Sequence, residues 1–438
     1  MDPLAQGLTP KMKPIPLKRA VTVSAIDIGS SKIACLIARL KPTPVTDVLP
    51  RRTHAVEILG IGHMRASGIK AGMVVDLAEA EFAIRHAVAA AERMAGVQLE
   101  SVVLSLSAGR LASELYAATV NVAGAAVDDG DIARVLAAGS RHSVRQGRAV
   151  LHSMPIGYGL DDARGIRDPR GMLGRRLGVD MHVVTVDAAA ARNLMLCVER
   201  CHLSVEAMVA APYVAGLSAL SDDEADLGSA IVDMGAGTTT LAVFTRGHFV
   251  HADSFALGGR HVTMDLARGI GATIDDAERV KTLHGSVLGG SADDREMIMV
   301  AADTEDREPH VAARARIVQI VKPRAEEILE MIRDRLMRSP FAGEPQGRVV
   351  LTGGASQLNG LREMASRILG RQVRIGRPLG LSGLPEAAKG PAFGVAAGLL
   401  IYPQAAYLEH FEPRRVRALM PGNDNYLARV GRWLRESF

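Results

Sequence analysis

Hydrophobic positions along this chain form short runs of aliphatic and β-branched residues that are separated by glycine-rich turns. The run VTVSAIDIGSSKIACLIARL, residues 21–40, predicts two strands on either side of a small-residue turn at residues 27–32. The run GSAIVDMGAGTTTLAVFTRGHFV, residues 228–250, has the same order of strand, glycine turn and strand. Because SAIDIGSSKIACLI and SAIVDMGAGTTTLAVF look like two copies of one unit, the sequence predicts a duplicated fold.

A third glycine turn lies in GRVVLTGGASQLNGLREMASRILG, residues 347–370. A predicted strand there leads into Gly353 and Gly354, an amphipathic helix follows, and the glycine pair could lie flat beneath a nucleoside. Between the second and third turns, DDAERVK places Glu278 and Lys281 on one face of a predicted helix. Any one of these turns is about as often a plain hairpin, but three in this order indicate a nucleotide site.

The residue types in the first two turns are those that bind polyphosphate. Glycine lets the backbone approach an anion, and serine and threonine hydroxyls donate hydrogen bonds to it. Asp27 and Asp233 end their strands, would face each other across a cleft, and suit the hydrated Mg²⁺ that accompanies ATP. The pattern G-x-x-x-x-G-K-[ST] is absent, which excludes a P-loop. The candidate phosphate-binding residues are Gly29, Ser30, Ser31, Lys32, Gly235, Gly237, Thr238 and Thr239.

Composition narrows the class of protein further. The chain has 438 residues, of which 48% are hydrophobic and 23% charged, and is long enough for two or more cores. A net charge of +4 and an aromatic content of 3% argue against a nucleic-acid partner. The first twenty residues lack the apolar core of a signal peptide and predict a disordered basic tail on a cytoplasmic protein. Residues 391–403 fall short of the roughly 20 apolar residues of a membrane span.

The segment NDNYLARVGRWLRESF, residues 423–438, predicts an amphipathic helix. Its apolar arc is formed by Tyr426, Leu427, Val430, Trp433, Leu434 and Phe438, and its opposite face carries Arg429, Arg432 and Arg435. Such a helix could pack on its own domain, dock in a partner's groove or lie among lipid headgroups. The basic linker before it and the single tryptophan favour an anionic membrane surface, because arginine is attracted to anionic headgroups and tryptophan prefers the interface.

With these three turns, the chain resembles the actin, Hsp70 and sugar kinase superfamily, and within it the FtsA family of bacterial cell division proteins. The resemblance also rests on GIGHMRASGIKAGMVVDL, VLHSMPIGYGLDDARGIRDPRGMLGRRLGVDMHVVTV, VERCHLSVEAMVAAPYVAG, RIGRPLGLSGL and WLRESF. It implies an α/β fold, actin-like and two-lobed, in which an inserted α+β subdomain replaces the usual small subdomain. The implied units are a disordered basic tail (1–20), the first part of subdomain 1A (21–107), the inserted subdomain 1C (108–182), the second lobe (2A/2B) and the return to 1A (183–402), a linker (403–422) and a membrane-targeting helix (423–438).

The resemblance also implies a function. Members of the family bind ATP, form filaments on the inner face of the cytoplasmic membrane at the division septum, tether the FtsZ ring there and recruit later divisome membrane proteins. Arg324 and Glu327, on a charged helix predicted over Val321–Leu336, match positions that meet the C-terminal peptide of FtsZ. A helix of this kind is more often a plain solvated face. ATP and Mg²⁺ are the expected cofactors.

Two enzymes of the same fold remain as alternatives. A phosphotransferase of the sugar kinase class needs a substrate pocket and a base, and no sugar-binding run is evident beside Asp27 or Asp233. A chaperone-like ATPase needs a peptide-binding β domain, and none is evident after Tyr402. We therefore expect an adaptor with at most slow ATP hydrolysis, and the sequence assigns no catalytic base.

Overall fold

A computed structural model describes residues 8, 12–43, 49, 51–108, 110–141, 144–290, 295–301, 309–344 and 346–409. The strands are β1 (Val21–Ile28), β2 (Lys32–Pro42), β3 (His54–Arg65), β4 (Ile69–Lys70), β5 (Met73–Val74), β6 (Ser101–Leu106), β7 (Ala112–Asn121), β8 (Arg148–Leu160), β9 (Ala163–Ile166), β10 (Arg176–Asp187), β11 (Ser204–Ala210), β12 (Ser229–Met234), β13 (Thr239–Thr245), β14 (His248–Phe255), β15 (Met297–Val300), β16 (His310–Ala313), β17 (Arg348–Thr352), β18 (Val373–Ile375) and β19 (Leu381–Ser382). The α-helices are α1 (Leu77–Ala95), α2 (Asp129–Gly139), α3 (Ala188–Glu199), α4 (Ala211–Ala219), α5 (Asp222–Leu227), α6 (Gly259–Ile270), α7 (Ile274–His284), α8 (Arg314–Met337), α9 (Leu361–Leu369) and α10 (Gly394–Ala405).

Two of the sheets have the same strand order. The first is β11-β6-β1-β2-β3-β19, and the second, written in the matching direction, is β18-β17-β12-β13-β14. In each sheet the central strand is parallel to the two strands on one side and antiparallel to the adjacent strand of a hairpin on the other, and β19 extends the first sheet by one strand. This confirms the predicted duplication, and we call the two halves the first lobe and the second lobe.

The two glycine turns are also equivalent in detail. Asp27 is opposite Ala34 in the β1–β2 pair, and Asp233 is opposite Thr240 in the β12–β13 pair. The Gly29 N–H donates to the Lys32 carbonyl at 2.9 Å, and the corresponding bond in the second lobe, from Gly235 to Thr238, is 3.0 Å. The turns therefore present their backbones in the same way.

A separate α+β unit follows β6 in the first lobe. It consists of the sheet β7-β10-β8-β9 with α2 packed against it. Helix α2 begins where Asp128 and Asp131 cap each other, at 2.8 and 3.1 Å, in a capping box. Strand, helix and strand follow one another here as β7, α2 and β8, and β10 runs to Asp187, beyond the predicted end of the insert at residue 182.

Helix α10 is the apolar centre of the first lobe and packs against α4. Among the described residues, one segment, Pro391–Leu408, is long and apolar enough by composition to cross a membrane, but 78% of it is buried inside the protein. We assign it to the protein core for that reason. The sequence predicts a linker over residues 403–422, but α10 continues through Pro403 to Ala405 and Glu409 is buried, so the first part of that segment belongs to the folded body. The rest of the predicted linker, 410–422, and the predicted helix at 423–438 lie outside the described residues.

Two local predictions differ from the structure. The sequence predicts a disordered tail over residues 1–20, because that segment is rich in proline. In the structure Leu8, Met12 and Ile15 pack on the first-lobe core, since packing there removes their apolar side chains from water. The sequence also predicts a helix over Val321–Leu336, but α8 begins earlier, at Arg314. The added first turns bury Ile317, which packs into the core of the second lobe.

Candidate functional site

A cleft of about 1030 Å³ separates the two lobes where the three glycine turns meet. All of the predicted nucleotide-binding residues line it except Gly237 and Thr239. The Thr239 hydroxyl instead donates to the Leu257 carbonyl at 2.8 Å beneath the second turn. The predicted residues in the wall are Asp27, Gly29, Ser30, Ser31, Lys32, Asp233, Gly235, Thr238, Glu278, Lys281, Gly353 and Gly354.

The first and second turns touch each other at the base of the cleft. A Cβ on Gly237 would lie 2.5 Å from Ser30 Oγ, so only glycine fits without movement there. Ser30 Oγ in turn accepts the Gly72 N–H at 2.9 Å. This close approach brings both phosphate-binding turns to one ligand.

Asp27 and Asp233 are partly buried carboxylates that line the floor of the cleft, one from each lobe. Burial raises the pKa of Asp27, against the opposing effects of a Ser105 Oγ–Oδ1 hydrogen bond of 2.6 Å and of the Lys32 charge. Burial and the nearby Asp27 carboxylate raise the pKa of Asp233 from 3.8 to about 7. The two groups therefore share one negative, poorly solvated site.

Lys32 is the cation of this site, and it is itself buried. Burial lowers its pKa although both carboxylates oppose that shift. Its Nζ donates to the Ala392 carbonyl at 2.5 Å and lies 3.5 Å from the centroid of the Phe393 ring. In this arrangement the ammonium lies against the cleft wall, beside the turn where the sequence predicted it.

The residues present fit a hydrated Mg²⁺ that is held partly by phosphate. Among the described residues, no group of three or more His, Cys, Asp or Glu side chains could hold a metal by itself. Mg²⁺ keeps several waters and needs only one or two carboxylates beside substrate phosphates. Asp27 and Asp233 provide that pair, and their raised pKa values indicate that Lys32 alone does not compensate them.

The third turn forms a flat part of the wall. Gly353 has a φ of 84°, and a Cβ there would lie 2.5 Å from Asp233 Oδ1, so this position requires glycine. Gly354 is open, since its nearest neighbour to a built Cβ is Ala392 Cβ at 3.9 Å. A planar ring can therefore approach the backbone at Gly354.

Glu278 and Lys281 lie one turn apart on α7, as predicted, and face the cleft. Lys281 Nζ donates to Glu278 Oε2 at 2.7 Å and to Thr263 Oγ1 at 2.9 Å. These bonds join α7 to α6 beside the third turn. The pair offers a carboxylate and an ammonium to a sugar hydroxyl.

The sequence interpretation missed several residues of the site. Ser105 was a polar interruption in the apolar run SVVLSL, and only the pairing of β6 with β1 shows that it reaches Asp27. Arg260 follows the glycine pair Gly258 and Gly259, whose backbone N–H groups could also have been read as facing an anion. The first turn of α6 is joined to the second glycine turn there, because the Gly259 N–H donates to the Gly235 carbonyl at 2.9 Å. Arg65 also lines the cleft.

The other predicted sites lie away from the cleft or outside the description. Arg324 donates from Nε to Asp265 Oδ2 at 2.6 Å and also pairs with Glu327. Neither Arg324 nor Glu327 lines the cleft. The predicted membrane-binding residues, from Tyr426 to Phe438, lie outside the described residues.

The duplicated sheets, the cleft between them and the paired phosphate-binding turns define an actin-like ATPase fold. Two solved structures share it at low identity. One belongs to a PilM–PilN type IV pilus biogenesis complex, with 18% identity, a TM-score of 0.59, and coverage of 88% of this chain and 99% of that chain. The other is MreB5 of Spiroplasma citri bound to ADP, with 14% identity, a TM-score of 0.53, and coverage of 89% and 98%.

The chain belongs to the FtsA family of cell division proteins. The family model for cell division protein FtsA matches residues 230–398, and the model for the SHS2 domain inserted in FtsA matches residues 108–185. Cell division protein FtsA of Rhizobium meliloti (strain 1021) is 54% identical, with 98% of each chain covered. That of Escherichia coli (strain K12) is 32% identical, with 95% of this chain and 98% of the relative covered. The family resemblance and the actin-like fold with an insert are both confirmed.

Proposed function

We propose that this cell division protein binds ATP with Mg²⁺ in the cleft and acts as a filament-forming adaptor. It would attach the FtsZ ring to the cytoplasmic face of the bacterial inner membrane at the septum and recruit later divisome membrane proteins. The observation that carries the proposal is the pair of equivalent glycine turns, which face two partly buried carboxylates, in a chain of the FtsA family.

The cleft offers separate places for the parts of the nucleotide. The phosphates would lie between the two turns, where backbone N–H groups and the hydroxyls of Ser31 and Thr238 are available. Mg²⁺ supplies charge neutralisation of the phosphates, and Asp27 and Asp233 would hold its water shell. The adenosine would rest on Gly354 beside α7. The proposal includes no hydrolytic base, because ATP binding alone can favour one state of a two-lobed protein.

The partner contacts follow from the family and are proposals for this chain. Arg324 and Glu327 would meet the C-terminal peptide of FtsZ, and a peptide carboxylate would compete with Asp265 for the Arg324 guanidinium. The α+β insert, with the proposed bounds 108–182, would meet later divisome proteins. Residues 423–438 would lie on anionic lipid, where filaments raise the avidity of many weak helices.

The nucleotide site predicts a specific loss of affinity. Asp233→Ala removes a carboxylate that faces the Mg²⁺ position, and Gly354→Asp adds a negative charge where the nucleoside rests. We expect each variant to bind Mg·ATP at least about tenfold more weakly, or about 1.4 kcal/mol, in equilibrium titration. Asp168→Asn is the matched control, because it removes an exposed carboxylate that pairs with Arg170 and does not line the cleft. ATP affinity equal to wild type in both test variants would show that the site is misassigned.

Co-sedimentation with anionic vesicles, with and without ATP, tests the adaptor function. We expect the full chain to pellet and a chain truncated after Gly422 to stay in solution, because the truncation removes the apolar arc and its arginines. Vesicles of neutral lipid are the control for the electrostatic contribution, and ATP should increase pelleting if filaments add avidity. If both chains stay in solution, the helix packs on its own domain and a cytosolic enzyme of this fold becomes the better proposal.

A further inference from the structure

An ion pair crosses the mouth of the cleft from one lobe to the other. Arg65 is the last residue of β3 in the first lobe, and Asp275 is in the first turn of α7 in the second. The Arg65 guanidinium donates to the two oxygens of Asp275, at 2.6 Å to Oδ1 and 3.3 Å to Oδ2. Both residues line the cleft, and we call them the cleft-mouth pair.

Each member of the pair is tied to the nucleotide-binding elements of its own lobe. Arg65 is directly opposite Lys32 in the β2–β3 pair, and the next residue, Ala66, donates its N–H to the Ser31 carbonyl at 2.9 Å. Asp275 precedes Glu278 on the same helix, whose start is fixed by Thr273 Oγ1. A change in the separation of the lobes would therefore move Arg65 and Asp275 apart.

The electrostatic surroundings favour this pairing. The pKa of Asp275 is lowered mainly by the hydrogen bonds that Arg65 donates to it. The same hydrogen bonds raise the pKa of Arg65. Arg260 adds positive charge near Asp275, and Glu278 adds negative charge near Arg65. All four groups lie in the wall that a nucleotide must pass.

We propose that the cleft-mouth pair holds the two lobes together and slows the release of nucleotide. The inference rests on the proposed ATP-binding function of the cleft. The two side chains remain 73% and 69% exposed, so water and salt screen the pair and its effect is moderate. It acts because release requires the lobes to separate, and separation breaks both hydrogen bonds at once.

A double-mutant cycle separates this role from a direct contact with phosphate. Arg65→Gln, Asp275→Asn and the double variant are loaded with ribose-labelled fluorescent ATP and chased with unlabelled ATP at low ionic strength. Each single variant is expected to release the label about two- to fivefold faster, or about 0.4–1 kcal/mol. The double variant should be no faster than either single one, because each change already removes the whole pair.

The release rate of the Asp275→Asn variant decides whether Arg65 acts through the ion pair or as a phosphate ligand. If Arg65 were mainly a phosphate ligand restrained by Asp275, this variant would free the guanidinium and slow release, which would overturn the proposal. Unchanged release in both single variants would overturn it as well. The matched control is Arg170→Gln, which removes an exposed arginine that pairs with Asp129 at 2.7 Å within the insert and should leave release unchanged. Failure of wild type to bind the label would overturn the proposed function and the inference together.

Discussion

At the scale of single residues, Asp233 is a carboxylate whose position opposes its charge. In the nucleotide-free cleft its pKa is raised to about 7, because the carboxylate is partly buried and Asp27 is nearby, and only the Lys32 charge opposes these effects. The folded protein thus holds a proton on Asp233 from about pH 4 to pH 7, where the unfolded chain has released it. Stability therefore falls as the pH rises through this range.

We predict that Asp233→Asn stabilises the nucleotide-free protein more at pH 8 than at pH 5. The shift of about three units sets an upper limit of about 4 kcal/mol, because one unit is worth 1.36 kcal/mol. Chemical unfolding of wild type and variant at both pH values measures the difference. The exposed Asp168, whose carboxylate pairs with Arg170, supplies the control variant Asp168→Asn. An equal effect of Asp233→Asn at both pH values would contradict a raised pKa.

At the scale of elements, the parts of the fold that could be predicted are those encoded by short patterns. The two strand–turn–strand units were predictable because apolar runs on both sides of a glycine turn occur within about 20 residues. The capped helix α2 was predictable for the same reason, since Asp128 and Asp131 are neighbours in the chain. In these elements local preference and tertiary packing agree.

Elements that depend on distant packing could not be predicted in the same way. The sequence predicts a helix over Val321–Leu336, whereas α8 begins earlier, at Arg314, and continues through Pro323. In the structure the proline is exposed on a helix whose other face buries Ile317 and Val321, so packing outweighs the lost backbone hydrogen bond. The Ser105–Asp27 bond and the cleft-mouth pair likewise join positions that no local pattern connects.

At the scale of the whole molecule, one buried cluster joins the insert to the first lobe and to Glu409, which follows α10. His152 on β8 lies beside Glu409, with Nδ1 at 3.0 Å from Oε1, and its Nε2 accepts the Ala210 N–H at 2.9 Å. Because Nε2 is an acceptor, Nδ1 carries the proton and donates to the carboxylate. The Tyr402 hydroxyl donates to the same oxygen at 3.1 Å.

This cluster fastens the segment after α10 to the insert and to the first lobe. We predict that Glu409→Ala lowers the free energy of unfolding by about 2–4 kcal/mol, because it leaves the His152 and Tyr402 donors buried without their acceptor. Glu409→Gln keeps a carbonyl oxygen and should lose less. Urea unfolding measures both variants, with Glu386→Ala as an exposed control that removes a surface ion pair with Lys389. A Glu409→Ala protein as stable as the control would mean that water replaces the carboxylate and that this cluster does not hold the segment after α10.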